Sequence, residues 1–208
     1  MARRYTLGKR AEAKEQTRDR ILRATMQVHD EKGVAPTTFA DVAARAGVGQ
    51  ATVSRYFPTI GDLVQACGQH VWMEMRPPVP EMAKEVFAGV EGLDGRLEKL
   101  VAEVDGFYAR GSLRLDLASR DRELIPQLDG FLSAVEAGVS ALVREALAPF
   151  SPHEEAVEMA SALMSFRAWQ SFRKTAIPAA RLAALRVRLL RCALKAAEAQ
   201  GEPAFGNN

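Results

Sequence analysis

Gln50 and Arg55 carry the most informative chemistry in this chain, and both belong to one short polar segment, QATVSRY. A glutamine amide can donate to and accept from the edge of an adenine, and an arginine guanidinium can bind a guanine or a phosphate. Ala51 is small enough to leave room for a thymine methyl group. Hydroxyl groups able to reach phosphate oxygens are supplied by Thr52, Ser54 and Tyr56. These residue types favour recognition of DNA.

Such side chains need a helix to present them, and the preceding residues predict a first, supporting helix. Thr37 and Thr38 can both cap a helix, and Thr38 with Asp41 approximates a capping box. An apolar stripe at helical spacing follows, formed by Phe39, Val42, Ala43 and Ala46. Gly47 then stands where a helix commonly ends in a left-handed residue. The first helix is therefore expected between Thr38 and Gly47.

A second helix is predicted from Gln50 to Phe57, directly after the link Gly47-Val48-Gly49. Val53 and Phe57 fall on one face of it, and the polar residues fall on another. Two helices joined by a short glycine-containing turn form a helix-turn-helix, whose second helix lies in the major groove of DNA. An ordinary helical hairpin with a solvated polar face is the alternative, because patterns this short are not specific.

The sequence around this pair resembles the N-terminal domain of the TetR family of transcriptional regulators. An amphipathic helix around Ile21 and Val28 is followed by Gly33, by TTFADVAARAGVGQATVSRYF and by a capped segment from Thr59 to Leu63. The order and spacing of these pieces match the family over about residues 17–67. The resemblance implies an all-α protein with an N-terminal three-helix domain containing the helix-turn-helix. It also implies a C-terminal helical domain for ligand binding and dimerisation.

The resemblance assigns roles to individual positions of this sequence. It implies phosphate contacts from Thr37 or Thr38 and from Tyr56, and core positions for Val53 and Phe57. Base contacts are implied for Gln50, Ala51, Thr52 and Arg55. Three positions depart from the family pattern: Ile60 replaces a common lysine, Ser54 replaces a tyrosine or leucine, and His29 replaces an apolar core residue. The change at Ile60 removes one phosphate contact, and His29 is expected at a helix edge.

Charge is concentrated in the N-terminal part of the chain. Residues 1–76 contain 12 Lys and Arg against 8 Asp and Glu, whereas residues 77–208 contain 16 against 18. A basic leader runs into the first helix and consists of Arg3, Arg4, Lys9, Arg10, Lys14, Arg18, Arg20 and Arg23. Such a run suits phosphate binding, although a merely solubilising tail is the alternative.

Pro77, Pro78 and Pro80 predict the boundary between two domains, 1–76 for DNA binding and 77–208 for effector binding and dimerisation. A helix from Thr59 to about Met75 would precede the boundary. Four further helices are predicted at residues 93–108, 126–147, 152–174 and 178–199. No strand is predicted.

The resemblance also implies an effector pocket and a dimer interface in the C-terminal part. Candidate pocket residues are Trp72, Phe107, Tyr108, Phe131, Met164 and Trp169, with Arg110, Arg114 or Gln170 as polar partners, and plain core is the alternative. The expected effector is small and apolar or amphipathic. A helical seam for a second copy of the chain is formed by Leu182, Leu185, Leu189, Cys192 and Ala196. The alternative is that this seam closes the monomer's own core.

Other classes of protein lack support in the sequence. We find no signal sequence and no membrane-length apolar run, so a cytoplasmic protein is expected. Cys67 and Cys192 form no metal-binding or disulfide pattern, and neither a metal, a cofactor nor an enzyme motif is predicted. The resemblance implies a homodimeric repressor, released from a palindromic operator by a small-molecule effector. A helical adaptor that binds another protein, with a vestigial helix-turn-helix, is the alternative.

Overall fold

The chain is all-helical in the computed structural model, which describes residues 2–200 and the side chains of residues 8–197. The N-terminal helices are α1 (Ala2–Lys32), α2 (Phe39–Ala46), α3 (Gln50–Tyr56) and α4 (Ile60–Met75). They are followed by α5 (Ala83–Val86), α6 (Leu93–Asp121), α7 (Pro126–Leu147), α8 (Glu154–Leu163), α9 (Phe166–Arg173) and α10 (Ala179–Gln200). Short 3-10 helices lie at Pro80–Met82 and Ala148–Phe150. The predicted all-α fold is confirmed.

The backbone separates into two compact units. The N-terminal unit consists of Met1–Met75 and Leu113–Leu132, and the C-terminal unit consists of Arg76–Ser112 and Ser133–Asn208. Helices α6 and α7 each contribute residues to both units. The functional division at residue 76 stays a prediction.

The core of the N-terminal unit is formed where α1, α2, α3 and α4 meet. Ile21, Val42 and Val53 have no exposed surface, and Leu63 has 1%. Burial of each such side chain contributes roughly 1.5–3 kcal/mol, so the apolar stripes hold these short helices together. Phe57 is also buried, as expected from its position beside Val53.

In the C-terminal unit, α8 and α10 pack against each other, and Arg96 joins three segments. Its guanidinium is buried and donates to the carbonyl oxygens of Ala146 at 2.9 Å and Val90 at 3.2 Å. Gly138 allows a close backbone approach, because a Cβ there would lie 1.9 Å from the Pro78 carbonyl oxygen.

Two predicted helices differ from the structure. The helix expected at residues 152–174 is two helices, because Ser165 has an extended backbone and its Oγ accepts from the Ala168 N–H, which starts α9. The helix expected at residues 93–108 continues to Asp121. Gly106 and Gly111 do not end it, because a glycine inside a helix costs only about 1 kcal/mol and burial of residues such as Leu115 offsets that cost.

His29 lies in the last turn of α1 and is buried, with 9% of its surface exposed. Burial lowers the pKa of this imidazole to about 4, and the carboxylate of Asp121 offsets part of the shift. The folded chain therefore excludes a proton that the unfolded chain binds below its ordinary pKa of 6.5. The contribution of His29 to the free energy of unfolding is therefore fully present above pH 6.5 and is lost as the pH decreases toward 4.

We expect the free energy of unfolding to decrease by about 2 kcal/mol between pH 7 and pH 5 through His29 alone. The variant His29→Leu should show a correspondingly smaller decrease, because leucine has no proton to bind. Urea unfolding followed by circular dichroism at fixed protein concentration measures both. The same pH dependence in the two proteins would contradict this role of His29.

Candidate nucleic-acid interface

The start of α2 is fixed by the predicted capping box. The Thr38 Oγ1 accepts from the Asp41 N–H at 3.2 Å, and the Asp41 carboxylate accepts from the Thr38 N–H at 2.8 Å. The same carboxylate accepts from Lys32 Nζ at 2.5 Å, which links α2 to the end of α1. Hydrogen bonds from Lys32 and then Thr38 hold the pKa of Asp41 well below its usual range. Asp41 therefore stays ionised and keeps the cap intact.

The turn between α2 and α3 depends on Gly47. Its φ of 63° and ψ of 40° are left-handed, and the following Val48 N–H donates to the Ala43 carbonyl oxygen at 3.1 Å. The chain is then extended at Gly49, whose carbonyl oxygen accepts from the Thr52 N–H at 2.9 Å and opens α3. The structure thus forms the glycine-containing turn that the sequence predicts.

Helix α3 is anchored on one face and open on the other. Val53 and Phe57 are buried, whereas Gln50, Ala51 and Arg55 are exposed. The remaining candidates on this helix, Thr52, Ser54 and Tyr56, are half-buried. The guanidinium carbon of Arg55 lies 5.7 Å from the centre of the Tyr56 ring, and Ser54 Oγ donates to the Gln50 carbonyl oxygen at 3.3 Å. The structure thus brings all six α3 candidates onto one short helix.

The two threonines before α2 are placed differently. Thr38 is exposed, whereas Thr37 has 5% of its surface exposed and its hydroxyl donates to the Gly33 carbonyl oxygen at 2.8 Å. Thr37 thus has a structural contact that the sequence did not predict. Its assignment to a phosphate stays a prediction.

Exposed cations lie along α1, which carries the basic leader. Lys9, Arg10, Lys14, Arg20 and Arg23 are exposed, and Arg3 and Arg4 lie outside the described side chains. Arg18 is half-buried and its guanidinium carbon is 5.6 Å from the centre of the Phe57 ring. Arg45 is held by Glu31, with the Nη2 and a carboxylate oxygen 2.6 Å apart. Arg45 is thus engaged in neutralising a carboxylate, and Arg20 and Arg23 are exposed cations of α1.

Asp121, which no sequence pattern singles out, supports the turn between α1 and α2. Its Oδ2 accepts from the backbone N–H groups of Val34 at 2.9 Å and Ala35 at 2.8 Å. No local pattern indicates this contact, because Asp121 follows that turn by more than eighty residues.

The six candidate pocket residues fall into two groups, one in each unit. In the C-terminal unit, the Tyr108 ring lies 5.2 Å from Phe107 and 5.8 Å from Trp169, and its hydroxyl donates to the Met164 carbonyl oxygen at 3.1 Å. In the N-terminal unit, Trp72 packs edge-on against Phe131 with ring centres 5.7 Å apart.

A narrow surface crevice, too tight to hold a water molecule, occurs in the C-terminal unit. It is lined by Leu163, Met164, Phe172, Arg186, Leu189 and Leu190. Of the six pocket candidates, only Met164 lines it.

The described part of the chain holds no group of three His, Cys, Asp or Glu side chains able to hold a metal ion. Nor does any of its helices have the length and apolar character needed to cross a membrane.

Comparison with known sequences points to one family. Residues 21–67 match the family described as "Bacterial regulatory proteins, tetR family". The chain is also 46% identical over 59 residues to the HTH-type transcriptional repressor LfrR of Mycolicibacterium smegmatis. That alignment covers 28% of this chain and 30% of the relative, so less than a third of either protein is compared.

Comparison with solved structures extends over most of the chain and concerns the fold. A mutant of the HlyIIR protein has a TM-score of 0.60 at 15% identity, covering 85% of this chain and 97% of that one. A tetR-family transcriptional regulator from Streptomyces coelicolor has a TM-score of 0.60 at 16% identity, covering 90% and 84%. The multidrug binding protein EbrR, complexed with imidazole, has a TM-score of 0.55 at 21% identity, covering 84% and 89%.

The turn geometry predicts opposite effects of alanine at two glycines. Gly47→Ala should lower the free energy of unfolding by about 1 kcal/mol, because a side chain is disfavoured in the left-handed region even where space is open. Gly68→Ala, inside α4 and also facing open space, should raise it by about 0.5 kcal/mol. Urea unfolding of both variants provides the measurement. Equal effects of the two substitutions would contradict the role of Gly47.

Proposed function

We propose that this chain, which belongs to the TetR family of bacterial regulatory proteins by its N-terminal domain, is a sequence-specific DNA-binding transcriptional regulator. The observation that carries the proposal is the two-faced α3, with Val53 and Phe57 buried and Gln50, Ala51 and Arg55 exposed. A helix held by two apolar anchors can enter the major groove without losing its packing. Gln50, Ala51, Thr52 and Arg55 then contact bases.

Contacts to the phosphate backbone come from groups around α3. We assign them to Thr38, Tyr56 and Ser54, and to exposed cations of α1 such as Arg20 and Arg23. Thr37 contributes through the turn that its hydroxyl stabilises. Each phosphate neutralised by a cation adds about 0.9 to the salt slope of the binding constant.

A homodimer is supported by the outward position of most of the α10 seam. Leu182 is buried, Leu185 is half-buried and Leu189 is 42% exposed, while Cys192 and Ala196 are exposed. The monomer core uses a different face of α10, formed by Val187, Leu190 and Leu194. Met159 on the neighbouring α8 is 53% exposed. A second copy of the chain would cover these apolar side chains.

Charge favours the pairing of α8 with α10 of a second copy. Residues 159–197 contain 8 Lys and Arg and no Asp or Glu. Arg181, Arg188 and Lys195 are exposed at seven-residue spacing beside the seam, and Glu155 and Glu158 are exposed on α8. In a two-fold dimer the acidic face of α8 in each copy meets the basic face of α10 in the other copy, so the contact forms twice. Such a dimer spaces its two recognition helices by about 34–36 Å and requires a palindromic operator.

Repression and its release are the finer part of the proposal. The relative LfrR is a transcriptional repressor and EbrR is a multidrug binding protein, which supports a repressor released by a small apolar or amphipathic effector. Phe107, Tyr108 and Trp169 form an aromatic cluster beside Met164 in the C-terminal unit, and we expect that effector to bind there. An effector acts only through a difference in its affinity for two conformations of the chain. We expect no catalytic activity.

A helical adaptor is the competing function, and salt distinguishes it. Binding to a protein partner through apolar contacts persists at high salt, whereas DNA binding weakens steeply. The exposed cations of α1 and the uncovered Gln50 and Arg55 favour DNA.

Selection from a random pool of duplexes at about 150 mM salt should enrich a palindrome, because non-specific binding is weak under these conditions. On that duplex, Arg55→Ala should weaken binding about 10- to 100-fold and relax preference at one base position in each half-site. Gln50→Ala should relax preference at a different position. Fluorescence anisotropy with single-base variants of the duplex measures these effects.

Arg167→Ala is the matched control, because Arg167 is exposed on α9 in the other unit. It should leave affinity and preference unchanged. If Arg55→Ala behaves like this control, Arg55 does not contact a base. If the parent chain enriches no duplex, the adaptor becomes the favoured function.

Leu189→Glu should convert the dimer to a monomer at micromolar concentration, because it places a carboxylate in the apolar seam of each copy. Leu124→Glu makes the same change at a leucine that is 70% exposed and should leave the dimer intact. Sedimentation equilibrium gives the mass, and circular dichroism checks that the helices remain. A dimeric Leu189→Glu variant would place the interface elsewhere.

A further inference from the structure

Asp121, the last residue of α6, binds the turn that joins α1 to α2 within the N-terminal unit. One carboxylate oxygen accepts two backbone N–H groups, from Val34 at 2.9 Å and from Ala35 at 2.8 Å. Hydrogen bonds to an ionised acceptor are about twice as strong as those between neutral groups. This contact joins segments that are 86 and 87 residues apart in sequence.

The turn has a conformation in which these N–H groups converge. Gly33 has a φ of 97°, and its N–H donates to the His29 carbonyl oxygen at 2.9 Å, which ends α1. The Gly33 carbonyl oxygen accepts from the Thr37 hydroxyl at 2.8 Å. Val34 is 6% exposed and its hydrogen bond to Asp121 is partly buried, so loss of the carboxylate would remove a partner that water replaces only in part. The Asp121 carboxylate therefore stabilises the conformation of the turn.

Arg114 makes a second contact from the same face of α6, two turns before Asp121. It forms ion pairs with Glu74 of α4 and with Asp30 of α1, the latter at 3.7 Å. Leu117 and Ala118, which lie between the two charged residues in sequence, are buried. Arg114, named above as a possible partner of an effector, is thus engaged with two helices of the N-terminal unit. Because all three charged groups are partly exposed, we expect this contact to contribute less than that of Asp121.

We infer that Asp121 is a positioning residue for DNA recognition, acting through the α1–α2 turn, with Arg114 in a supporting role. The inference rests on the proposed function. The turn leads at once into the Thr38 capping box, and α2 leads through Gly47 into α3. The orientation of α2 and α3 against α1 is therefore set where Asp121 binds. A negative charge cannot attract phosphate, so any gain in DNA affinity from Asp121 must come from positioning.

The test begins with amide hydrogen exchange measured by NMR on the full chain without DNA. Asp121→Ala should speed the exchange of the Val34 and Ala35 amides at least about 10-fold, because each loses a charge-assisted hydrogen bond. Amides in the middle of α4 and α10 should keep their rates, which separates a local change from general loss of stability. Asp121→Asn keeps an acceptor oxygen and should give an intermediate rate. The control Glu123→Ala removes the same charge from an exposed position two residues further on.

The second measurement is affinity for the selected duplex across a range of salt concentrations. Asp121→Ala should weaken specific binding about 10-fold with an unchanged salt slope, since no phosphate contact is lost. Asp121→Asn should recover part of that loss, Arg114→Gln should weaken binding about 3-fold, and Glu123→Ala should not weaken it.

Three results would overturn the inference, and they are distinguishable. Unchanged amide exchange in Asp121→Ala would show that the carboxylate does not hold the turn, whatever DNA the parent chain binds. Faster exchange with unchanged specific affinity would show that the turn does not position α3. Failure of the parent chain to select any duplex would overturn the proposed function, and this inference with it.

Discussion

The satisfaction of backbone N–H groups around two very short helices is the constraint on which the candidate interface depends. Helix α2 has 8 residues and α3 has 7, and helices of this length do not persist alone in water. Helix α2 is secured by the Thr38 and Asp41 capping box and by the left-handed Gly47. Helix α3 has no side-chain cap, so its persistence depends on the burial of Val53 and Phe57. The same short segment thus supplies both the buried side chains that anchor it and the exposed side chains that we propose for recognition.

Ion pairs divide the cations of the N-terminal unit into two groups. Lys32 and Arg45 neutralise Asp41 and Glu31, and the hydrogen bond from Arg45 lowers the pKa of Glu31. These carboxylates would otherwise face the polyanion that we propose as the partner. Since exposed ion pairs contribute little to stability, we consider their main effect to be on the local potential. The positive potential is then provided by α1 and by Arg55.

Local patterns were sufficient for the helix-turn-helix, because caps, glycine turns and apolar stripes are encoded within a few residues. Contacts between distant segments were not predictable in this way. Asp121 lies beyond the helix predicted at residues 93–108, and its partners Val34 and Ala35 belong to a distant turn. Ser165 reads as one polar residue inside a helix, and its role as a cap appears only with the contact to Ala168. Likewise, the aromatic character of Trp72 and Tyr108 could not indicate that they pack in different units.

Helix α10 shows that the net charge of a whole domain can hide a strongly basic segment. Residues 77–208 contain slightly more acidic than basic residues, which suggests no particular partner, yet residues 159–197 contain no acidic residue at all. Periodicity identified the seam but could not assign it, because core stripes and interface stripes have the same spacing. Burial separates the two: Val187 and Leu190 face the monomer core, and Leu189 and Cys192 do not. One helix therefore has two apolar faces, of which the monomer core covers one, and the basic residues beside the exposed face favour an acidic surface as the partner that we propose for it. The exposed glutamates of α8 make a second copy of the chain the partner that best fits this preference.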